Sequence, residues 1–175
     1  MKLTKQTVFL QTERLFLSRW EPGDAALLQE LHGVEETTRF IGDGLPWSRA
    51  LAEQRLSEWT RDFQRDGISK LKLSTIDGQR FIGRAGFRFY RREGFFELGC
   101  SIRREEWGNG YATEISRALS EWLFRNRTAR QFMAFAENDN VASIAMLKKI
   151  GMTETEIAGM HGADHRLFRM QKPAA

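Results

Sequence analysis

The sequence has little of what builds disulfide-linked, zinc-stabilised or membrane-spanning proteins. Its 175 residues include one cysteine, three histidines and three prolines. A single cysteine excludes a disulfide within the chain and fits a reducing compartment, and so few cysteines and histidines argue against a structural zinc site. Apolar runs stay well short of the roughly 20 residues of a membrane-spanning helix, and the first ten residues lack a signal peptide's apolar segment. We therefore expect a cytoplasmic protein without a bound metal or a membrane partner.

The composition indicates one globular domain that spans residues 1–175. Hydrophobic residues make up 41% of the chain and charged residues 29%, which excludes a disordered chain. The net charge of +4 suits a nucleic acid or a phosphate-rich ligand. However, the basic residues form only short clusters such as Arg91-Arg92, with no basic tail or nucleic-acid motif. A generally basic surface is the favoured interpretation, and we do not expect nucleic acid to be the partner.

The spacing of apolar residues predicts a mixed α+β fold. We expect a central, mostly antiparallel sheet of six to seven strands with about four flanking helices. A strand–loop–helix–strand unit should supply one parallel pair of strands. The predicted strands cover 14–20, 70–74, 81–90, 95–102, 131–136, 153–158 and 165–170, and the helices follow Asp24, Ser48, Gly110 and Asn140.

A glycine-rich loop joins the strand at 95–102 to the next helix. Its sequence is Trp107-Gly108-Asn109-Gly110-Tyr111-Ala112-Thr113, and it contains no acidic residue. Glycines let the backbone approach a ligand closely, and free N–H groups at a helix start attract an anion such as phosphate. A tight turn that merely starts the helix would account for the loop equally well.

A second motif, Asn140-Val141-Ala142-Ser143, follows the strand at 131–136. Asn140 suits a helix N-cap, with Ser143 three residues later in the first turn. Taken alone, this pattern favours a purely structural cap over a catalytic role.

Taken together, the two motifs resemble a known family. The runs at 97–102, 107–114, 140–143 and 149–152 resemble the GNAT superfamily of acyl-CoA-dependent N-acyltransferases. The opening Thr12-Glu13-Arg14-Leu15 is similar to the first strand of its RimJ/RimL-type branch, the ribosomal-protein N-terminal acetyltransferases and their relatives. The resemblance covers nearly the whole chain.

The resemblance implies a GNAT-like sheet whose parallel strands splay apart, with acetyl-CoA in the gap as acyl donor. The pantetheine would pair with backbone of the preceding strand, and the pyrophosphate would lie on the loop amides. The implied cofactor-binding residues are Cys100, Ser101, Ile102, Trp107, Gly108, Asn109, Gly110, Tyr111, Ala112, Thr113, Asn140 and Ser143.

The implied reaction is direct attack of a neutral amine on the thioester. Glu97 is the candidate base, directly or through water, and an ordinary polar residue on the solvent face is the competing interpretation. Ser143 could protonate the departing thiolate, or serve only as part of the cap. The N–H of Cys100 could stabilise the oxyanion. A covalent intermediate on Cys100 is disfavoured because no nearby histidine would activate it.

Two departures from the family pattern keep alternatives open. Leu147 occupies the position of a proton-donating tyrosine, and Trp107 that of a Gln or Arg. A catalytically idle acyl-CoA-binding or sensing module is therefore one rival, and an RNA- or ribosome-associated protein is another. The resemblance implies a protein N-terminus or a small amine as acceptor. His161 and His165 of the last hairpin either line the acceptor site or are plain loop or strand residues. A homodimer is also open.

Overall fold

An eight-stranded sheet is the centre of the computed structural model, which describes residues 8–77, 79–160 and 163–174. The strand order is β1-β2-β3-β4-β5-β6-β8-β7, and only β5 and β6 run parallel. The strands are β1 (Val8–Gln11), β2 (Leu15–Ser18), β3 (Lys70–Thr75), β4 (Phe81–Tyr90), β5 (Phe95–Ile102), β6 (Gln131–Glu137), β7 (Thr153–Met160) and β8 (Ala163–Gln171).

Five α-helices flank the sheet in the described part of the chain. They are α1 (Ala25–His32), α2 (Glu35–Thr38), α3 (Arg49–Asp66), α4 (Tyr111–Asn126) and α5 (Val141–Lys149). The predicted mixed α+β architecture is confirmed. The sequence pattern missed β1 and α2, which have only four residues each and so show no clear periodicity.

The predicted helix starts also occur. The Oγ of Ser48 accepts a hydrogen bond from the N–H of Leu51 at 3.2 Å, and Gly67 ends α3 with a left-handed φ of 65°. None of the helices in the described ranges has the length and apolar character needed to cross a bilayer.

The two faces of the sheet carry different residues because successive side chains of a strand point in opposite directions. One face buries the main apolar core, in which Leu71 and Phe87 pack with Ile115 of α4 and Ile144 of α5. The opposite face, beside α1 and α3, carries polar side chains that include Lys70, Lys72 and Arg84.

The parallel pair separates almost as soon as it forms. The register joins β5 to β6 only at Glu97 and Met133. Beyond this point β5 stays paired with β4 as far as Ile102, and β6 stays paired with β8 as far as Glu137. The sheet therefore contains a gap between β5 and β6, and α4 and α5 begin beside it. This is the splayed pair that the resemblance implied.

Candidate functional site

The glycine loop presents a row of unused backbone donors. Across residues 108–113, no N–H group donates to an acceptor within the described residues, and the first bond of α4 runs from Glu114 N–H to the Gly110 carbonyl at 3.0 Å. Gly108 and Gly110 have left-handed φ values of 79° and 77°, and residues 107–110 are exposed. Free N–H groups and the positive end of a 16-residue helix dipole thus face solvent together.

Arg14 and Glu114 hold this loop against the start of β2. The Arg14 Nη1 donates to the Asn109 carbonyl at 3.0 Å, and its Nε donates to Glu114 at 2.6 Å. Glu114 also accepts from the Thr12 hydroxyl at 2.6 Å. With the Asn109 carbonyl occupied from the protein side, the loop's N–H groups remain turned outward. This support was not predictable from local sequence patterns, because Arg14 and Glu114 lie 100 residues apart.

The β5 edge that lines the gap has free backbone groups. The Arg103 N–H donates to the Ile82 carbonyl of β4, so the backbone N–H and carbonyl groups of odd-numbered β5 residues point towards β4. Because these groups alternate in direction along a strand, those of even-numbered residues point into the gap. The Ile102 carbonyl confirms this, since it accepts from the Trp107 indole at 2.8 Å. The N–H and carbonyl of Cys100 therefore point into the gap.

The predicted cap at Asn140 is confirmed, and it leaves polar groups free. The Asn140 Oδ1 accepts from the Ser143 N–H at 3.2 Å. In the described ranges, the Asn140 amide nitrogen and the half-buried Ser143 hydroxyl have no hydrogen-bond partner. Leu147, at the position of the family's tyrosine, is buried in the core at 2% exposure. It lies on α5, which the Arg117 Nη2 joins to α4 through the Lys149 carbonyl at 2.8 Å.

Glu97 lies where β5 and β6 part, paired with a buried lysine. The Lys70 Nζ is 3.4 Å from the Glu97 carboxylate and 3.2 Å from its backbone carbonyl. Lys70 lies opposite Gly86, which lies opposite Gly99. A Cβ on Gly99 would come within 2.4 Å of the Lys70 Nζ, so the glycine makes room for the ammonium. Burial lowers the pKa of Lys70, and the Glu97 charge opposes this shift.

Lys70 was not among the predicted site residues, because its pairing with Glu97 depends on strand register. Lys70 reaches Glu97 across β4, over 27 residues of sequence. The alternating run at 70–74 did predict a strand, but it did not show which of its lysines is buried. The pair gives Glu97 a fixed position beside the gap.

The thiol of Cys100 is poorly suited to nucleophilic catalysis. Burial raises the pKa of Cys100 to about 11, against the opposing charges of Arg84 and Lys70. The thiol is therefore neutral near pH 7, in line with the expectation that no covalent intermediate forms there.

Arg84 and His32 form a buried polar pair on the face beside α1 and α3. The Arg84 Nε donates to the His32 Nε2 at 3.0 Å, and the Trp59 ring lies 5.1 Å from the guanidinium carbon. His32 stacks on Trp47 with ring centroids 4.2 Å apart. Burial, and then the Arg84 charge, lower the pKa of His32 to about 2, so the imidazole is neutral.

The remaining predicted residues lie on β5, α4 and β8. Ser101 lies opposite Arg84 in the β4–β5 register, and Ala112 and Thr113 are in the first turn of α4. His165 is half-buried on β8, whereas His161 lies outside the described residues. The loop, the β5 edge, Glu97 and the α5 cap are thus brought together by the parting of β5 and β6.

Several known proteins that this chain resembles in sequence or fold are described as acetyltransferases. The family model described as the acetyltransferase (GNAT) domain matches residues 14–153. The uncharacterized N-acetyltransferase p20 of Bacillus licheniformis is 26% identical over 143 residues, which are 81% of this chain and 80% of p20.

Solved structures share the fold at low identity. An acetyltransferase of the GNAT family from Bacillus anthracis has a TM-score of 0.82 and 20% identity, over 93% of this chain and 98% of that one. RimL, a ribosomal alpha-N-protein acetyltransferase in complex with coenzyme A, has a TM-score of 0.81 and 14% identity, over 94% and 97% of the two chains.

Proposed function

Since the chain belongs to the GNAT acetyltransferase family and is an acyltransferase, we propose that it moves the acetyl group of acetyl-CoA to a primary amine. The amine attacks the thioester directly, while both substrates are bound to one domain spanning residues 1–175. The acceptor is a protein N-terminus or a small-molecule amine.

The observation that carries the proposal is the row of unpaired N–H groups at residues 108–113 beside the open β5 edge. A pyrophosphate on these amides would satisfy the donors and interact favourably with the α4 dipole. The pantetheine arm would then run along β5 as an added strand, paired with the carbonyl of Cys100 and the N–H of Ile102. RimL, which shares the fold, was solved with coenzyme A.

In this arrangement the α5 cap contributes to binding as well as to helix stability. The Asn140 Oδ1 is engaged by the Ser143 N–H, which leaves the amide nitrogen to donate to a pantetheine carbonyl. The structural interpretation of the cap and its binding role are therefore compatible, because they use different atoms of one side chain.

The acyl transfer follows from holding the two reactants together, which is the largest contribution we assign. Glu97 takes a proton from the ammonium, directly or through water, and the neutral amine attacks the carbonyl carbon. The Cys100 N–H stabilises the oxyanion. As the tetrahedral intermediate collapses, the nitrogen loses its second proton to solvent and the C–S bond breaks. The Ser143 hydroxyl protonates the CoA thiolate and is reprotonated from solvent, and Glu97 releases its proton to solvent.

The proposal is tested by incubating the protein with acetyl-CoA and a panel of primary amines, with release of free CoA as the readout. We expect acetyl-CoA to bind and CoA release to depend on the amine. Binding without any acylation would support the idle-module alternative. Absence of both binding and turnover would overturn the proposal.

The roles of the side chains are tested separately. Glu97→Gln should lower kcat/KM for the amine by roughly 100-fold, as expected for loss of a general base, with little change in the Kd of acetyl-CoA. Glu93→Gln, in the turn between β4 and β5, is the matched control and should keep wild-type kinetics. If Glu97→Gln behaves like this control, Glu97 is only a structural partner of Lys70.

A further inference from the structure

Arg84 is a buried cation on the sheet face beside α1 and α3. It lies in the middle of β4 and is 7% exposed. Its Nε donates to a neutral histidine, His32, at 3.0 Å. Among the described residues, no Asp or Glu forms an ion pair with it. Burial lowers the pKa of Arg84 to about 10, so the guanidinium is still charged at neutral pH.

Three cations near Arg84 each have a carboxylate partner. Lys72 pairs with Asp24 at 2.6 Å, Lys70 with Glu97 at 3.4 Å, and Arg103 with Glu30 at 2.6 Å. Burying a charge without an ion-pair partner is unfavourable. The Glu97 charge acts on Arg84, but it lies beyond ion-pair distance. Arg84 is the buried arginine among the described residues, and its lack of a salt bridge within them points to an anion from outside the chain.

The free end of Arg84 is suited to such a ligand. Its two Nη nitrogens make no hydrogen bond to the described residues. They are also not fully buried, since the fully buried side-chain nitrogens without a partner in the described residues do not include them. The remaining exposure of Arg84 therefore lies at the Nη end. The Trp59 ring, 5.1 Å from the guanidinium carbon, limits how the group can turn. Two Nη donors in a fixed plane match the two oxygens of a carboxylate.

Arg84 lies on the same face of the sheet as Glu97, the proposed base for the acceptor amine, so we assign it to the acceptor and not to acetyl-CoA. It lies opposite Ser101 on β5, on the face that also carries Glu97. Glu97 and Ser101 are four residues apart, which is about 13 Å along a strand. The Glu97 charge nevertheless acts on the Arg84 guanidinium, so the two groups lie near each other without forming an ion pair. An amine held near Glu97 would therefore reach Arg84 with a group several bonds away.

We propose that Arg84 binds a carboxylate of the acceptor, so that the preferred acceptors are amines that also carry a carboxylate several bonds from the nitrogen. The inference rests on the proposed acetyl transfer and specifies its substrate class. Arg84 is then a specificity-determining residue, and His32 a positioning residue that fixes the plane of its fork. The carboxylate belongs to a small amino acid or to an acidic side chain next to a peptide N-terminus.

The test compares matched acceptors that differ in one charge. The small-molecule pair is beta-alanine and its amide, and the peptide pair is a tripeptide with aspartate or asparagine in second position. We expect CoA release to favour the charged member of at least one pair by tenfold or more in kcat/KM, mainly through KM. The pair that shows the preference identifies the source of the carboxylate.

Two variants separate a specific contact from general positive charge. Arg84→Gln should remove the preference while leaving the Kd of acetyl-CoA unchanged, and Arg84→Lys should recover only part of it. Arg103→Gln is the matched control, because Arg103 also lies over an aromatic ring, Phe81 at 5.2 Å, but already has Glu30 as partner. The control should keep the wild-type preference.

A binding readout covers acceptors that turn over slowly. In the presence of CoA, beta-alanine and the aspartate peptide are titrated against wild type, Arg84→Gln and Arg103→Gln, with Tm as the signal. Stabilisation that Arg84→Gln alone abolishes supports the inference. Equal use of charged and neutral amines, or no stabilisation of wild type by either carboxylate, overturns it while leaving acetyl transfer intact. Failure to bind acetyl-CoA would instead overturn the proposed function.

Discussion

Single side chains at this site owe their charge states to burial as well as to their neighbours. His32 is fully buried, and the pKa of its imidazole lies near 2. The unfolded chain gains a proton at His32 near pH 6.5, whereas the folded chain does not. The folded state is therefore favoured fully above pH 6.5 and loses stability as the pH falls below it.

We expect this histidine to make the fold acid-sensitive. Between pH 7.5 and pH 5.0, His32 alone should lower the free energy of unfolding by about 2 kcal/mol. We compare the free energy of unfolding at the two pH values by urea titration. For His32→Gln, the decrease in this free energy from pH 7.5 to pH 5.0 should be smaller than for wild type by that amount, whatever the stability of the variant at pH 7.5. An identical pH dependence in the two proteins would contradict the account.

Cys100 provides a second prediction at the residue scale. With the pKa of its thiol near 11, Cys100→Ala should retain acetyltransferase activity within a few fold, because only backbone groups of this residue take part. Alkylation by iodoacetamide at pH 8 should be more than tenfold slower than for a free cysteine, whose pKa is about 8.5. An acetylated Cys100 trapped by mass spectrometry would contradict this.

At the scale of the elements, the loop before α4 needs glycine at a position with left-handed backbone geometry. Gly110 has a φ of 77°, and an added Cβ would meet only the Arg14 Nη2 at 3.8 Å. The strain of a side chain there would come from the backbone and not from crowding. A left-handed residue with a side chain costs roughly 1–2 kcal/mol, and relief of this strain would turn N–H groups away from the ligand.

Gly110→Ala should therefore lower Tm by a few degrees and raise the Kd of acetyl-CoA by about tenfold. Gly94→Ala is the control, since Gly94 has a φ of 72° in the turn between β4 and β5 and equally open surroundings. It should lower Tm to a similar degree with no change in Kd, as measured by calorimetry. A matching loss of affinity in both variants would mean that the loop makes no special contribution.

Much of the element structure was predictable because its signals are local. The cap at Asn140, the start of α3 at Ser48 and the strand–loop–helix order depend on residues within a few positions of one another. The Lys70–Glu97 pair, the Arg84–His32 pair and the Arg14–Glu114 support depend on strand register and on contacts between distant segments. Alternation shows that a strand exists, but it does not show which charged residue is buried.

At the scale of the whole molecule, the gap between β5 and β6 is the feature of the fold on which the proposed binding of acetyl-CoA depends. One register point, at Glu97 and Met133, joins the two halves of the sheet, and beyond it both strands keep their other partners. The family resemblance implied this geometry, whereas composition and periodicity alone did not. The overall charge of +4 also suits a phosphate-rich donor.

The most direct measurement is the ¹H–¹⁵N spectrum of the whole protein during titration with acetyl-CoA. The account predicts large shifts for the amides of Gly108, Gly110 and Cys100, because these groups would donate to the ligand, and little change at Gly42 and Gly94. Acetyl-CoA binding that leaves the three amides unmoved, or shifts only residues away from the gap, would contradict it.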